Sequence, residues 1–535
     1  EDIILEEWRE YSERSEVQIL APGSLRCTFV LEPAVVDFLG MNLSASMTKA
    51  VETVVRGNFW FSQVKHVRLE LGKELWDDEL ESKKVFGQLL NGLFSSTRRS
   101  RELTIPKCRS SFDVYNPKTK DLQIERVQLL FPSSMSPSDF VAAASAIAVT
   151  QTVKKLTISP VVQLFPRINT RIWWTWLAYA LFSKRARAFS SLESVTFVKL
   201  RYLCTDDMVK LAEVITSEHP EEKLFDTPRG ELGEKIATVT RGAPIRWKFD
   251  YGELVPEVEP LSFPMSIPFV LTFSDDGVSE WVNVLVPGYG RCQVQRDNLE
   301  FHETSEYETR PCLKTLKIGF IHENNTINNS LPLLLAAVGH SLNNLALSAR
   351  TLDIDVSTIL RYCPNLVELS LCGAVVDVML KFDNYREFLQ SFSGVDFNWN
   401  NVIALSRTLS NDNNPLAKCV HRLRVRPVSE AELNALLDML TQNLTLKYME
   451  ITIPTQFQRR IESFRKFNLQ PIHHTMKLSL KSKAAFISTI ESNETGNHQQ
   501  KSPLHELSQE LLCKIFAYAI SPTPRRVFAR CVPKP

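Results

Sequence analysis

The sequence has no paired-cysteine motif, no zinc-ligand cluster and no excess of charge of either sign. Its ten cysteines are scattered singly from Cys27 to Cys531, without a Cys-x-x-Cys pair or a His/Cys group at zinc-ligand spacing. The 62 basic and 61 acidic residues leave a net charge of +1, so the chain as a whole has no field that attracts nucleic acid or an anionic membrane. These properties favour reduced thiols and disfavour a nucleic-acid partner.

A membrane-spanning run is missing as well. A helix needs about 20 consecutive apolar residues to cross a bilayer, whereas the best candidate, Ile172–Phe182, is shorter and is followed by Lys184 and Arg185. We predict a buried amphipathic helix there. Because no signal peptide is visible either, we expect no membrane partner and an intracellular location, cytoplasmic or nuclear.

The motifs of common enzyme classes are also missing. The sequence contains no nucleophile elbow, no His-Glu-x-x-His and no Walker loop. His473 and His474 are adjacent on an extended segment, where neighbouring side chains point to opposite sides and rarely share a metal. Asp275 and Asp276 are better explained by hydrogen bonds within a turn. The sequence therefore predicts no enzyme, no catalytic residue, no metal ligand and no cofactor.

What the sequence does contain is a recurring pair of apolar residues two positions apart, which is typical of the buried face of a strand. The pairs before residue 225 are Val67/Leu69, Leu103/Ile105, Val127/Leu129, Leu156/Ile158 and Val195/Phe197. The pairs after residue 310 are Leu316/Ile318, Leu345/Leu347, Leu369/Leu371, Val395/Phe397, Leu423/Val425, Met449/Ile451 and Met476/Leu478. The second series has intervals of about 24 to 29 residues, within the range of leucine-rich repeats.

Helical patterns separate these strands. Ser429 followed by Glu432 predicts a capping box, and Leu433, Leu436, Leu437 and Leu440 then form one apolar stripe. Right-handed connections from each strand through a helix to the next parallel strand build a solenoid. We therefore predict an α/β fold, a horseshoe with parallel strands inside and helices outside. A doubly wound parallel sheet is the alternative, which the near-equal spacing and the lack of a glycine-rich phosphate loop disfavour.

Residues 225–310 interrupt the repeating pattern. Phe269–Phe273 and Trp281–Val286 are β-rich runs on either side of Asp276-Gly277, a dipeptide typical of hairpins. We predict a β-rich insertion between two repeats, where insertions often contribute to a binding surface. Gly288-x-Gly290 precedes no helical pattern, so we do not interpret it as a nucleotide loop.

The segment Cys363-Pro-Asn-Leu-Val-Glu-Leu-Ser-Leu371 is the best match to one repeat, and Leu342-Asn-Asn-Leu-Ala-Leu347 is a partial match. They resemble the helix-bearing leucine-rich repeats of the ribonuclease-inhibitor type and of F-box leucine-rich proteins. The resemblance covers roughly residues 50 to 215 and 310 to 490. It implies a leucine-rich repeat solenoid that binds another protein on its concave sheet.

The C-terminal segment Pro503–Ile520 has helical spacing, with Ser508 as its expected cap. It resembles the opening of an F-box, which implies docking on a Skp-type adaptor of cullin ubiquitin ligases. The residues that carry this resemblance are Leu504, Leu507, Glu510, Leu511, Leu512, Ile515, Phe516 and Tyr518, and those expected to form the docking helix are Leu507, Leu511, Leu512, Ile515, Phe516 and Tyr518. We interpret Val527–Cys531 as a degenerate second helix of the F-box. The alternative is that the chain continues beyond Pro535. The alternative is that this helix only caps the exposed end of the solenoid.

The expected organisation is an N-terminal cap at 1–45, a degenerate repeat half at 46–224, the β-rich insertion at 225–310, a second repeat half at 311–490, a linker at 491–502 and an F-box-like or capping helix at 503–535. We expect protein recognition by the concave face, either as substrate receptor of a ubiquitin ligase or as a scaffold or inhibitor without a ubiquitin link. The candidate partner-binding residues alternate with the apolar anchors and are Arg68, Glu70, Lys317, Glu368, Ser370, Asp396, Arg424, Arg426, Glu450 and Lys477.

Overall fold

The structure of the protein is a computed structural model. It describes residues 24–31, 35–42, 64–71, 126–130, 137–150, 153–159, 170–200, 203–228, 230–231, 235–247, 261–262, 266–302, 313–321, 325–350, 354–382, 398–411, 414–475, 486, 508–518 and 522–532. The chain divides into two compact units, one formed by Glu1–Asn344 with Tyr362–Asn365 and the other by Leu345–Arg361 with Leu366–Pro535.

The first unit contains two sheets. Its larger sheet is built from β1 (Ser24–Leu31), β2 (Val35–Asn42), β3 (Val64–Leu71), β4 (Arg126–Leu130), β5 (Lys155–Ser159), β6 (Ser194–Leu200) and β14 (Thr315–Phe320). Its smaller sheet is built from β7 (Ile236–Val239), β8 (Pro244–Trp247), β9 (Leu261–Ser262), β10 (Ile267–Thr272), β11 (Trp281–Val286), β12 (Gly290–Gln295) and β13 (Leu299–Phe301).

The predicted apolar anchors lie side by side in the larger sheet. Its order is β2-β1-β3-β4-β5-β6-β14, and β3 to β6 and β14 run parallel. Val67, Val127, Leu156, Val195 and Leu316 are paired in one row across these strands, so the strands predicted at these positions are confirmed. Leu103/Ile105 lies outside the described residues, and β3 and β4 are direct neighbours without a strand between them.

Helices connect these strands and pack on one another. They are α1 (Pro137–Ile147), α2 (Thr170–Phe182), α3 (Lys184–Phe189), α4 (Thr205–Thr216), α5 (Pro220–Phe225) and α6 (Asn325–Val338). α1 packs against α2, α2 against α4 and α4 against α6. The predicted buried helix at Ile172–Phe182 is confirmed as α2, whose Trp174 ring lies 6.1 Å from that of Phe197 on β6. None of the helices in the described parts of the chain is long and apolar enough to cross a membrane.

The smaller sheet is antiparallel and has its own apolar core. Its order is β13-β7-β10-β11-β12-β8-β9, and its core includes Val270, Val284 and Val294. The predicted hairpin is confirmed, because β10 and β11 pair antiparallel on either side of the turn that contains Asp276. Asp276 Oδ1 accepts hydrogen bonds from the backbone of Val278 and Ser279. With the Ser279 hydroxyl, these bonds lower the pKa of Asp276 to about 2.

Gly288 and Gly290 fix this sheet to helix α1. The backbone N–H groups of Gly288 and Gly290 donate to Ser145 Oγ of α1 at 3.0 and 3.2 Å. Gly290 has φ of +78°, and a Cβ there would lie 2.4 Å from Cγ1 of Val141. Both the backbone angle and the close approach therefore require glycine.

The elements after residue 343 are β15 (Asn344–Ser348), α7 (Val356–Tyr362), β16 (Glu368–Cys372), β17 (Val376–Lys381), α8 (Val402–Ser410), α9 (Pro415–Cys419), β18 (Val420–Val425), α10 (Glu430–Gln442), β19 (Tyr448–Pro454), α11 (Ile461–Arg465), β20 (Pro471–Thr475), α12 (Gln509–Tyr518), β21 (Pro522–Pro524) and β22 (Arg526–Val532). The main sheet has the order β15-β16-β17-β18-β19-β22, and β20 pairs with β21. The predicted capping box of Ser429 and Glu432 is confirmed at the start of α10.

Strand β17 departs from the predicted series of parallel strands. It pairs antiparallel with both β16 and β18, and a tight turn in which the Gly373 N–H donates to the Val376 carbonyl at 2.8 Å joins it to β16. The strand expected next, at Val395/Phe397, lies outside the described residues, and its expected place between β16 and β18 is taken by β17. The α/β class is thus confirmed, with antiparallel as well as parallel pairs in the sheets.

The C-terminal segment forms a strand, so the interpretation of Val527–Cys531 as a helix is wrong. β22 pairs parallel with β19 along its whole length, from Arg526 opposite Tyr448 to Val532 opposite Pro454. Because β18 occupies the other edge of β19, the pair Met476/Leu478, which lies outside the described residues, is not the neighbour of β19 that the repeat pattern predicts.

The buried guanidinium of Arg525 fixes the start of β22. Arg525 is 1% exposed and donates to the carbonyls of Leu440 at 2.7 Å, Leu446 at 3.2 Å and Asn443. Leu440 lies in the last turn of α10 and Asn443 directly follows that helix, where carbonyls lack partners within the helix. Burial lowers the pKa of Arg525, and the carbonyl dipoles at the helix end offset part of this cost.

We expect Arg525→Ala to lower the free energy of unfolding by about 2 to 4 kcal/mol, because it leaves buried carbonyls without donors and opens a cavity. Arg525→Lys should recover only part of this loss, since an ammonium group cannot reach all three carbonyls. The measurement is urea unfolding followed by circular dichroism.

Arg526→Ala is the matched control, because the next residue in the chain is exposed and its removal should change stability by no more than about 0.5 kcal/mol. Equal effects of the two alanine substitutions would contradict the role given to Arg525.

Candidate interaction surface

The second unit presents a polar sheet face on β16, β17, β18, β19 and β22. Apolar residues at alternate positions of these strands, such as Leu371, Val378, Leu423 and Ile451, are buried, so the residues between them point to the opposite face. These intervening residues are Glu368, Ser370, Cys372, Asp377, Met379, Lys381, Arg422, Arg424, Tyr448, Glu450, Thr452, Arg526, Phe528 and Arg530. Together with Arg426, which directly follows β18, they form what we name the arginine face.

Strand register arranges the arginine face in rows. In one row Asp377 lies opposite Arg424, Arg424 opposite Glu450, and Glu450 opposite Phe528. In the neighbouring row the same strands contribute Met379, Arg422, Tyr448 and Arg526. Residues directly opposite each other on neighbouring strands have side chains close enough to interact.

A chain of ion pairs with alternating sign crosses this face. Asp377 is 3.1 Å from Arg426 and 3.7 Å from Arg424. Glu450 in turn is 2.9 Å from Arg424 and 2.7 Å from Arg530. Each carboxylate therefore joins two arginines, and Arg424 is shared between the two carboxylates.

The carboxylates lie beneath the outer arginines. The side chains of Glu450 and Asp377 are 9% and 11% exposed, whereas those of Arg426 and Arg530 are 41% and 42% exposed. Burial raises the pKa of Asp377, while the charges of Arg426 and Arg424 act in the opposite direction. The positive groups consequently face solvent above a buried negative layer.

Backbone carbonyls also hold Arg426 in place. Its Nη1 donates to the carbonyl of Ala374 at 3.1 Å and to that of Gly373 at 3.4 Å, both in the turn between β16 and β17. Antiparallel β17 thus supplies an ion-pair partner, Asp377, together with these carbonyls from the turn that precedes it. Arg426 is fixed by these contacts and keeps part of its guanidinium accessible.

Two aromatic rings lie among the arginines. Tyr448 has the guanidinium of Arg422 5.5 Å from its ring centroid, a cation–π distance. The ring of Phe528 lies 5.6 Å from that of Tyr448 in a tilted arrangement. Phe528 is 49% exposed, so a large apolar surface is open to solvent next to positive groups.

The structure brings five of the predicted binding residues onto this face. These are Glu368, Ser370, Arg424, Arg426 and Glu450. Glu368 is 3.8 Å from Lys381 across the β16–β17 pair. Glu450 is buried rather than exposed, because it lies between Arg424 and Arg530.

The other predicted binding residues are placed elsewhere or lie outside the described residues. Arg68 and Glu70 belong to β3, and Lys317 belongs to β14, opposite Thr196 of β6. All three are in the first unit. Asp396 and Lys477 lie outside the described residues.

Sequence reasoning missed Asp377, Arg422, Arg526, Phe528 and Arg530. A signal was present, because Val376, Val378 and Leu380 are apolar at every second position and charged residues flank them at Asp377 and Lys381. Strands β17 and β22 do not fit a helix-containing repeat of regular length, so the repeat pattern did not predict them.

Helix α12 carries the F-box-like residues that can be located. Ser508 caps it as predicted, because its Oγ accepts from the N–H of Leu511 at 3.2 Å. Leu511 is 49% exposed, while Leu512, Ile515 and Phe516 are half-buried. Tyr518 is the last residue of α12, and Leu507 lies outside the described residues. Phe516 packs edge-on against Phe486 at 5.5 Å between ring centroids.

Acidic residues such as those of the arginine face can also act as metal ligands. Within the ranges that the structure describes, no group of three or more His, Cys, Asp or Glu side chains is arranged to hold a metal ion. Of the carboxylates of the arginine face, Asp377 and Glu450 are each engaged by two arginines and Glu368 lies near Lys381.

A double-mutant cycle of Arg424→Met and Glu450→Gln should give a coupling energy of about 1 to 3 kcal/mol, because the pair is shielded from water and each partner is left buried when the other is removed. The free energies of unfolding of the two single variants and the double variant provide the measurement.

The same cycle for Arg465→Met and Glu462→Gln is the control. That pair has a shorter distance of 2.6 Å but both side chains are exposed, so solvent should reduce its coupling to no more than about 0.5 kcal/mol. A larger coupling for the exposed pair would show that burial does not govern the network.

Comparison of the chain with protein-family models, with curated proteins and with solved structures yields no match.

Proposed function

We propose that this protein recognises another protein through the arginine face of its second unit. The observation that supports this most directly is the half-exposed Phe528 beside Tyr448, with arginines around both rings. Arginine and aromatic residues dominate the binding energy of protein interfaces. A large apolar side chain open to solvent next to ordered guanidinium groups is a composition typical of such sites.

The ordering of the arginines supports the same function. Arg426 and Arg530 already have fixed partners in Asp377, Glu450 and the backbone. A partner therefore meets groups that lose little conformational freedom on binding, and this improves affinity without additional contact area.

The proposal includes a leucine-rich repeat solenoid as the scaffold. Its support is the row of apolar anchors across parallel β3, β4, β5, β6 and β14, with α1 between β4 and β5 and with α2 and α3 between β5 and β6. The antiparallel β17 and the C-terminal β22 are additions to such a scaffold, and they contribute residues to the arginine face. An intracellular location agrees with the lack of a disulfide at Cys204, Cys292, Cys363, Cys372, Cys419 and Cys531. Burial raises the pKa of the Cys363 thiol to about 12.

Phe528→Asp should weaken capture of the protein's cellular partners at least about tenfold, because an aromatic anchor at the centre of an interface is worth about 2 kcal/mol or more. The measurement is quantitative mass spectrometry after cross-linking to the full-length chain, with wild type and variant in parallel.

Val278→Asp is the matched control, since Val278 is an exposed valine in the β10–β11 turn of the first unit. It should leave capture unchanged. A set of partners that is retained by Phe528→Asp and lost with Val278→Asp would move the proposed site to the smaller sheet.

A substrate receptor of a ubiquitin ligase is the second candidate function. It is favoured by the exposure of Leu511 on a capped amphipathic helix that resembles the start of an F-box. In this version the arginine face holds the substrate and α12 contacts a Skp-type adaptor. The first candidate, a scaffold or inhibitor, needs no adaptor.

Co-purification with a Skp-type adaptor distinguishes the two candidates. The receptor function predicts association that Leu511→Asp reduces at least about tenfold, since it places a charge in an apolar contact. Leu469→Asp makes the same change at another exposed leucine and should have no effect. No association of the intact chain with the adaptor would leave the scaffold or inhibitor function.

A further inference from the structure

The arginine face is positive although the chain as a whole is nearly neutral. Its cationic residues are Lys381, Arg422, Arg424, Arg426, Arg526 and Arg530, and its carboxylates are Glu368, Asp377 and Glu450. This leaves the face with three more positive than negative groups, whereas the 535-residue chain has a net charge of +1. The positive potential is thus local and attracts a negatively charged partner to this surface.

Two of these arginines have no carboxylate partner among the described residues. Within the described ranges Arg526 is exposed without an ion pair, and Arg422, which also has none, places its guanidinium over the ring of Tyr448. The two lie on opposite sides of Tyr448 in the same row of the sheet. A guanidinium presents a planar fork of donors that matches a carboxylate in a bidentate way. The row therefore offers two such forks at a fixed separation.

The partly exposed arginines of the neighbouring rows add donors at the edge of Phe528. Arg530 is bound to Glu450 through Nη2, and its side chain is still 42% exposed. Phe528 lies between Arg526 and Arg530 along β22, with both arginines pointing to the same side of the strand. The order along this strand is positive, apolar, positive.

We infer that the arginine face binds an acidic segment of a partner protein, in which Asp or Glu residues engage Arg422, Arg526 and Arg530 and an apolar residue between them packs on Phe528. This inference rests on the proposed function and specifies the chemistry of the partner. The complementary segment has the order negative, apolar, negative, at the spacing of alternate residues in an extended chain.

Single-stranded nucleic acid is the other anionic class that an arginine-rich sheet could bind. Nucleic-acid platforms stack successive bases on several open aromatic rings. Here Arg422 lies over the ring of Tyr448, which leaves Phe528 as the exposed ring of the pair. The carboxylates beneath the arginines also oppose a continuous run of phosphates. These features favour an acidic protein segment.

The test uses the full chain and a short fluorescein-labelled synthetic peptide, Glu-Ser-Leu-Ser-Glu repeated, in which Glu, Leu and Glu occupy every second position and so share one face of an extended chain. Binding is followed by fluorescence anisotropy. A second peptide has Gln in place of every Glu. We expect the Glu peptide to bind at least about tenfold more tightly, equivalent to about 1.4 kcal/mol, and its affinity to fall as salt is raised.

Charge reversal locates the site. Arg526→Glu and Arg422→Glu should each lower the affinity for the Glu peptide at least about tenfold. Phe528→Ala should lower the affinities for the Glu and Gln peptides by a similar factor. Arg407→Glu is the matched control, because Arg407 is exposed on α8 away from the sheet residues, and it should have no effect. Circular dichroism confirms that each variant is folded.

Three outcomes would overturn the inference: equal affinity for the Glu and Gln peptides, equal effects of Arg526→Glu and Arg407→Glu, or tighter binding of a single-stranded oligouridine than of the Glu peptide. If the Glu peptide fails to bind while Phe528→Asp still abolishes capture of cellular partners, the inference fails and the proposed function stands. If Phe528→Asp also leaves capture unchanged, both fail.

Discussion

The second unit depends on the buried side chain of Arg525, which binds carbonyls at the C-terminal end of helix α10 and directly precedes strand β22. The carbonyls in the last turn of α10 and just beyond it cannot be satisfied within the helix, and Arg525 reaches them from a segment about eighty residues away. Its position places β22 beside β19 in a single register, because a shift by one residue would turn Phe528 inward and Val527 outward. The positions of Arg526, Phe528 and Arg530 on the arginine face therefore depend on the contact between Arg525 and the end of α10.

Burial, rather than the number of charges, determines how the arginine face works. Exposed pairs such as Arg465 and Glu462 are screened by water and contribute little. Asp377 and Glu450 are shielded, so their charges must be balanced by close cations. The arginines are consequently recruited and oriented by the carboxylates, and those at the edge retain donors for a partner.

Much of the framework could be predicted from the sequence, because paired apolar anchors such as Val195/Phe197 reflect a local burial pattern that needs no knowledge of distant contacts. Strand order could not be predicted in the same way. β17 reverses direction because of a turn at Gly373, and β22 takes its place because of Arg525. Both depend on long-range contacts that leave only a weak alternation in the sequence, and they supply Asp377, Phe528 and Arg530 to the candidate site.

The attachment of the smaller sheet to α1 shows how few atoms can join two layers. The hydroxyl of Ser145 donates to the carbonyl of Ala142 at 2.8 Å and accepts the N–H groups of Gly288 and Gly290. A hydroxyl has one donor and two acceptor sites, and all three are used here. The helix and the β11–β12 turn are far apart in sequence, and the Ser145 hydroxyl joins them at the point where Val141 approaches Gly290.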